Sequence, residues 1–226
     1  MPLVCKIFKL NKPLELNLIA EKLHEFTQTY TERINSKEVE LGYRVRELSL
    51  REDIVEGVFE DSFLIEVYYR GEFNKVPVSR DTRFFFIKRE NDIYLVIGDK
   101  KFRANRLANI FSEILFAKRG EIIEAQISHE TLKALHESNP SSSKVIFFDN
   151  VVIPNVEKLA LYGPGVADAS LYSEYLKYGK IWYVVFTVKK GWVVGITRNC
   201  VITSFSRVSE EDFYSFVINE VLNLVE

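Results

Sequence analysis

The first 35 positions combine two hydrophobic patterns. The stretch "LVCKIFKL" (residues 3–10) alternates apolar and polar positions, which predicts a β-strand. Asn11 and Pro13 end this pattern and open a helix. Apolar residues then recur every three or four positions, at Leu16, Ile19, Leu23, Phe26, Tyr30 and Ile34. This spacing predicts one buried face of a long helix over about residues 14–35.

The next segment has little helical period. The runs "YRVRELSL", "IVEGVFE", "DSFLIEVYYRGE", "TRFFFIKRE" and "DIYLVIGD" are rich in β-branched and aromatic residues, and short polar turns separate them. Successive strands joined by tight turns predict an antiparallel meander, with one face covered by the first helix. A second amphipathic helix follows, and its apolar stripe includes Leu107, Ile110, Phe111, Ile114 and Leu115.

The second half repeats this mixture of elements. Ser128 and Ser209 are predicted N-caps of a short helix and of a closing helix over residues 210–225. Between them lie a linker-like stretch, "SNPSSSK", and a strong hairpin, "IWYVVFTVKKGWVVGITRN". We therefore expect an α+β protein of two units, each an antiparallel sheet covered by helices. The expected units are residues 1–120 and 121–226, with the boundary between residues 120 and 144.

Composition narrows the kind of partner. The 226 residues include 30 Lys+Arg and 32 Asp+Glu, a net charge of −2, so any attraction to nucleic acid must be local. Cys5 and Cys200 are predicted to be buried free thiols, which fits a reducing compartment. The start of the sequence lacks the features of a signal peptide, and no apolar run is long enough to span a membrane. We expect a cytoplasmic protein.

One basic cluster stands out against this neutral balance. From residue 100 to residue 119 a single acid, Glu113, faces six cations, a local charge of +5. These cations are Lys100, Lys101, Arg103, Arg106, Lys118 and Arg119. The first four surround a helix N-terminus, whose free N–H groups already carry positive partial charge, so the pattern predicts an anion site. The alternative interpretation is a solvated turn.

Further cations are candidates for the same role. Lys88 and Arg89 belong to the preceding hairpin, whereas Lys189, Lys190 and Arg198 belong to the later one. Contacts from these side chains to phosphates would make binding salt-dependent and independent of sequence. Such contacts fit DNA and RNA, and one strand or two.

Two aromatic stretches can act as stacking platforms for bases. The run Phe84–Phe86 places rings on both faces of its strand, which first indicates a central, doubly covered strand. Trp182 and Tyr183 form the second stretch.

The sequence carries no catalytic signature. It contains no Asp-x-Asp, His-x-His, Cys-x-x-Cys or Glu-x-Lys motif and no phosphate-binding glycine loop, so we predict no metal, no cofactor and no enzymatic activity. His24, His129 and His136 are interpreted as surface or helix-end residues. The alternative is an enzyme, for example a nuclease, whose acids are scattered in sequence. Its candidates are the meander acids Asp53, Glu56, Asp61 and Glu66.

The order of elements resembles one family. A strand and helix lead into a meander, then a linker-like segment, a second α/β unit and a closing helix. This layout resembles the N-terminal half of long prokaryotic Argonautes, the N domain with its linker regions, which in some archaea exists as a separate subunit. The resemblance covers most of the chain and rests on layout, size and thermophile-like composition. It implies a non-catalytic subunit that binds a truncated Argonaute as its protein partner and completes a nucleic-acid channel.

Overall fold

The computed structural model describes residues 2–34, 36–138 and 140–226. Within them it has five α-helices and twelve β-strands, and the strand pairs described below are antiparallel, so the α+β class is confirmed. Contacts group the chain into two compact regions. The meander region comprises residues 9–98 and 105–123, and the C-terminal region comprises residues 2–8, 99–104 and 124–226. The predicted linear boundary between residues 120 and 144 stays a prediction.

The chain begins with strand β1 (Val4–Leu10) and helix α1 (Leu16–Leu23). The meander strands follow as β2 (Thr27–Ile34), β3 (Lys37–Arg51), β4 (Ile54–Tyr69), β5 (Glu72–Arg89) and β6 (Asp92–Ile97). Within β2 to β6, consecutive strands pair with each other, as tight turns dictate. Helix α2 (Lys101–Phe116) and the short strand β7 (Ile122–Glu124) come after the meander.

The helix predicted to reach residue 35 ends at Leu23, and that prediction is wrong. Glu25 has a positive φ of 53°, which breaks the helix. The stretch "TQTYTERI" then forms β2 against β3, because threonine and tyrosine favour a pleated strand. Leu16, Ile19 and Leu23 form the buried face of the short helix that remains.

The core of the meander region is aromatic. Phe111 of α2 is fully buried, with its ring 5.3 Å from that of Phe59, 4.8 Å from Phe84 and 5.5 Å from Phe86. Phe85 is also buried, so the interpretation of Phe84–Phe86 as core is confirmed and this run cannot stack bases. The phenylalanines of β5 therefore pack in the core.

The C-terminal region continues with α3 (His129–Glu137), β8 (Ser143–Asp149), β9 (Leu159–Tyr162), α4 (Ser170–Tyr175), β10 (Lys180–Thr187), β11 (Val193–Thr197), β12 (Val201–Ser204) and α5 (Glu210–Phe216). After α5 the chain runs on as a π-helix over Val217–Val221 and a 3-10 turn over Leu222–Leu224. The caps are confirmed: Ser128 accepts the Thr131 N–H and Ser209 accepts the Asp212 N–H, each at 3.1 Å.

The strands of the C-terminal region lie in the order β1-β12-β11-β10-β8-β9. Tyr172 and Tyr175 of α4 contact Phe148 on one face of this sheet. The opposite face, here called the open face, carries the cross-strand partners Phe147, Tyr183 and Thr197. Because Phe147, Tyr183 and Thr197 are only half-buried, this face is accessible to a ligand.

In the part of the chain that the structure describes, we find no helix with the length and apolar character needed to cross a membrane.

Candidate nucleic-acid interface

At the start of α2 the chain supplies an anion of its own. The Asp99 carboxylate accepts the backbone N–H of Lys100 at 2.7 Å and lies 2.9 Å from Nε of Arg103. The side chains of Asp99 and Arg103 are both largely buried. The helix N-terminus and Arg103 are thus already met by a carboxylate that precedes the basic cluster by one residue.

Arg106 and Arg119 line an open cavity of about 430 Å³ in the meander region. The Arg106 guanidinium donates a hydrogen bond to the Tyr43 hydroxyl at 2.9 Å and lies 3.5 Å from the Asp61 carboxylate. The bond to Tyr43, with Asp61 nearby, raises the pKa of Arg106. Arg119 pairs with Glu113. Both arginines therefore already have an acidic partner and are less available to bind a phosphate.

The other predicted cations are spread over the molecule. Three form ion pairs: Lys88 with Glu15 at 3.6 Å, Lys118 with Glu121 at 3.3 Å and Lys190 with Asp212 at 2.7 Å. Arg89 donates to the Lys88 carbonyl at 3.2 Å. Lys100 is exposed, and Lys189 borders a small, mainly apolar cavity of about 260 Å³.

Two of the predicted cations, Lys101 and Arg198, come together in the C-terminal region. They line an open cavity of about 440 Å³ with a third cation, Lys158, to which no sequence pattern points. Lys101 is the first residue of α2, Lys158 precedes β9, and Arg198 lies in the turn after β11. The other lining residues are Asp149, Trp182, Thr197, Asn199 and Val201.

The charge of this cavity, here called the basic cavity, is positive. Asp149 is its only acid, and Arg198 binds both carboxylate oxygens, at 3.0 and 2.6 Å. This bidentate pair neutralises Asp149 and fixes the plane of the guanidinium. Lys101 and Lys158 are exposed and form no ion pair within residues 2–34, 36–138 and 140–226. The residues that line the cavity therefore carry an excess of two positive charges.

One rim of the basic cavity is anchored by a buried ion pair. The Lys6 ammonium has no solvent exposure and pairs with Glu124, whose other oxygen accepts a hydrogen bond from Asn199 at 3.2 Å. Burial lowers the pKa of Lys6, which the bond to Glu124 partly offsets. Removal of Glu124 would leave the buried Lys6 charge unpaired, so this contact ties Asn199 to the buried lysine through Glu124.

Aromatic rings extend from the basic cavity across the open face. Phe147 lies 5.7 Å from Trp182, 5.4 Å from Tyr183 and 5.6 Å from Tyr162, measured between ring centroids. The β8–β10 register shifts between Ile181 and Tyr183, and such a bulge re-aims side chains. This explains why the neighbours Trp182 and Tyr183 can both contact Phe147.

Gly195 of β11 permits this arrangement. A Cβ atom at Gly195 would lie 2.4 Å from the Tyr183 hydroxyl and 2.9 Å from a ring atom of Phe205. Tyr183 and Phe205 therefore lie against the glycine backbone, where any larger residue would displace them. Tyr162 and Phe205 are 68% and 56% exposed, so the open face presents ring surface to solvent.

The groups considered for catalysis do not converge. Glu56 pairs with Arg51 at 3.0 Å, and no cluster of three or more acids, histidines or cysteines suited to a metal occurs among the described residues. Cys5 and Cys200 are buried free thiols, as predicted, and burial raises the pKa of both, that of Cys200 to about 12. Thiols with raised pKa are poor nucleophiles.

His129 and His136 are held by contacts within the fold. The His129 Nδ1 accepts the backbone N–H of Ile181 at 2.7 Å, and His129 begins α3. His136 is fully buried and lies in the last turn of α3, so of the two interpretations, surface or helix end, the helix-end one is confirmed.

No family model and no curated protein matches this chain.

Sequence patterns point to Trp182, Tyr183, Lys101 and Arg198 but not to Lys158, Tyr162, Phe147 or Phe205. Tyr162 is the last residue of β9 and is followed by "GPG", a local pattern that indicates a turn and no aromatic surface. The alternation in "SKVIFFD" places Val145 and Phe147 on one strand face, which is the local signal available. That this is the open face depends on how β8, β9 and β10 pair, which no short stretch encodes.

Proposed function

We propose that this protein is a non-catalytic subunit that binds a nucleic-acid phosphate backbone at the basic cavity. The observation that carries the proposal is the convergence of Lys101, Lys158 and Arg198, with the one acid of the cavity already bound. Arg198 is held against Asp149 and this pair is neutral, so Lys101 and Lys158 supply the net positive charge that attracts phosphate oxygens.

The proposed contact is electrostatic, so its salt dependence is the test. Replacing Lys101 and Lys158 with glutamine should weaken binding to all nucleic-acid sequences alike. The slope of log affinity against log salt concentration should flatten by about 0.7 to 0.9 for each lost phosphate contact. The measurement is a salt titration with labelled oligonucleotides of unrelated sequence.

A matched control separates the site from net charge. Lys37 and Lys177 are also exposed, and replacing both with glutamine removes the same charge elsewhere. This control should keep the wild-type slope. Equal slopes for the two double variants would contradict a site at the basic cavity.

The protein partner in this proposal is supported by the tip of the β4–β5 hairpin. Tyr68 and Tyr69 are well exposed, and Phe73 is 74% exposed. The Tyr68 and Phe73 rings lie 5.1 Å apart, so they form one apolar patch rather than scattered residues. Exposed apolar patches are typical of protein interaction sites. A truncated Argonaute as that partner stays a prediction from the layout alone.

Replacing Tyr68 and Phe73 with serine should release a partner that co-purifies with the protein from its native host, while the melting temperature changes little. Replacing Phe102, which is 89% exposed in α2, with serine is the control. A partner that stays bound to the tip variant, or that the Phe102 variant releases equally, would rule out the tip.

A further inference from the structure

We infer that the ligand is single-stranded nucleic acid, with unpaired bases stacked on the open face around Trp182, Tyr183 and Tyr162. This inference rests on the proposed function, because it places the phosphates of the same ligand at the basic cavity. It adds the strandedness of the ligand and a second set of contacts.

The stacking surface is contiguous with the basic cavity. Trp182 lines the cavity and at the same time contacts Tyr183 and Phe147, with ring centroids 5.7 Å apart in each case. Tyr162 extends the rings further along Phe147. One strand can therefore place its phosphates among the cations and its bases on the rings.

Duplex nucleic acid does not fit this surface equally well. The faces of paired bases are hidden inside the helical stack, and a duplex offers only groove edges and backbone to a sheet. The open face presents the rings of Phe147, Tyr162 and Tyr183. Aromatic rings beside cations are the usual means of holding single strands without sequence preference.

Lys158 connects the two kinds of contact. Its ammonium lies 5.1 Å above the Trp182 ring, a cation–π contact. A base that stacks on this ring face replaces the lysine, and the ammonium then becomes available to the adjoining phosphate. Lys158 thus covers this ring when no base is bound.

The identity of the ring at position 182 can be tested with two variants. Trp182→Phe keeps an aromatic face and removes an indole N–H that is buried with no hydrogen-bond partner among the described residues, so it should fold well. Trp182→Leu keeps apolar bulk without a π-face. The Tyr162→Phe and Tyr162→Ser pair repeats the comparison at an exposed position, where neither change threatens folding.

The probes are labelled oligothymidine and oligouridine of about 16 nucleotides, and a DNA duplex of the same length, measured by fluorescence anisotropy. We expect the single strands to bind at least about tenfold more tightly than the duplex. Trp182→Leu should weaken single-strand binding by about 5- to 100-fold, and Trp182→Phe by less than about threefold. Comparison of the two single strands gives the preference between DNA and RNA.

A second readout follows binding at the ring itself. The other tryptophan, Trp192, is buried, so the accessible indole is that of Trp182. Single strands should quench its fluorescence, and Trp182→Phe should abolish the quenching while binding persists.

These measurements distinguish failure of the proposed function from failure of the single-strand inference. If no probe binds, the proposed function fails and this inference fails with it. If the duplex binds as tightly as the single strands, and leucine and phenylalanine at position 182 behave alike, the inference is overturned. The proposed function then still stands, provided that the Lys101 and Lys158 variant flattens the salt dependence.

Discussion

Replacing Phe111 with alanine should lower the free energy of unfolding by about 3 to 5 kcal/mol. Its ring is fully buried and touches Phe59, Phe84 and Phe86, so the substitution removes the centre of the meander core. Two effects contribute to this loss of stability: the ring atoms are no longer buried, and a cavity remains where the ring was. For a protein of this size the melting temperature should fall by about 10 °C, measured by calorimetry or circular dichroism.

The same helix provides the control for this prediction. Phe102 of α2 is 89% exposed, and replacing it with alanine removes the same atoms from solvent rather than from the core. Its effect on stability should be within about 0.5 kcal/mol. Similar losses at Phe102 and Phe111 would mean that the packing of α2 on the meander is described wrongly.

The second large effect concerns a buried polar network in the C-terminal region. Tyr172 donates a hydrogen bond to Glu137 at 2.8 Å, so its oxygen accepts the His136 Nε2–H at 2.7 Å. The unprotonated Nδ1 of His136 then faces the Ser143 hydroxyl at 3.5 Å. This arrangement suits a neutral imidazole, and burial lowers the pKa of His136 from its ordinary 6.5 to about 4.

Stability should therefore fall as the pH falls from about 6.5 to about 4. In this window the unfolded chain binds a proton at His136 and the folded protein does not, so protons favour unfolding. The difference between the His136 pKa in the unfolded and folded states corresponds to about 3 kcal/mol of unfolding free energy, which is lost across this window. Below pH about 4 this group causes no further loss. Urea unfolding at a series of pH values measures the effect.

His129 also has a pKa lowered by burial and acts in the same direction, so a variant must isolate His136. Replacing His136 with glutamine should lower stability at neutral pH and flatten its decline between pH 6.5 and 4. A decline as steep as that of the wild type would assign the pH dependence to other groups.

Local chemistry explains what the sequence could predict. The caps at Ser128 and Ser209 and the turns of the meander depend on a few neighbouring residues, and those predictions are confirmed. Prediction from the sequence fails where two local patterns compete. Residues 27–34 keep helical apolar spacing, but their β-branched content and pairing with β3 prevail.

The candidate site shows the same limit. Counting charges from residue 100 onwards leaves out Asp99, whose effect on Arg103 depends on the first turn of α2. Phe84–Phe86 and Trp182–Tyr183 are similar aromatic runs, yet the first is core and the second half-exposed. The difference arises from which sheet face a helix covers, and that is decided by contacts distant in sequence.

The β4–β5 hairpin has a consequence for the dynamics of the protein. Pairing of β4 with β3 ends at Ser62, whereas β4 and β5 stay paired as far as Tyr69 and Glu72. A two-stranded ribbon with both faces exposed is marginally stable in water, so its hydrogen bonds open without global unfolding. A partner seated on the ribbon would be seen first as slowed amide hydrogen exchange near Tyr68 and Phe73, before any change in the unfolding of the rest of the protein.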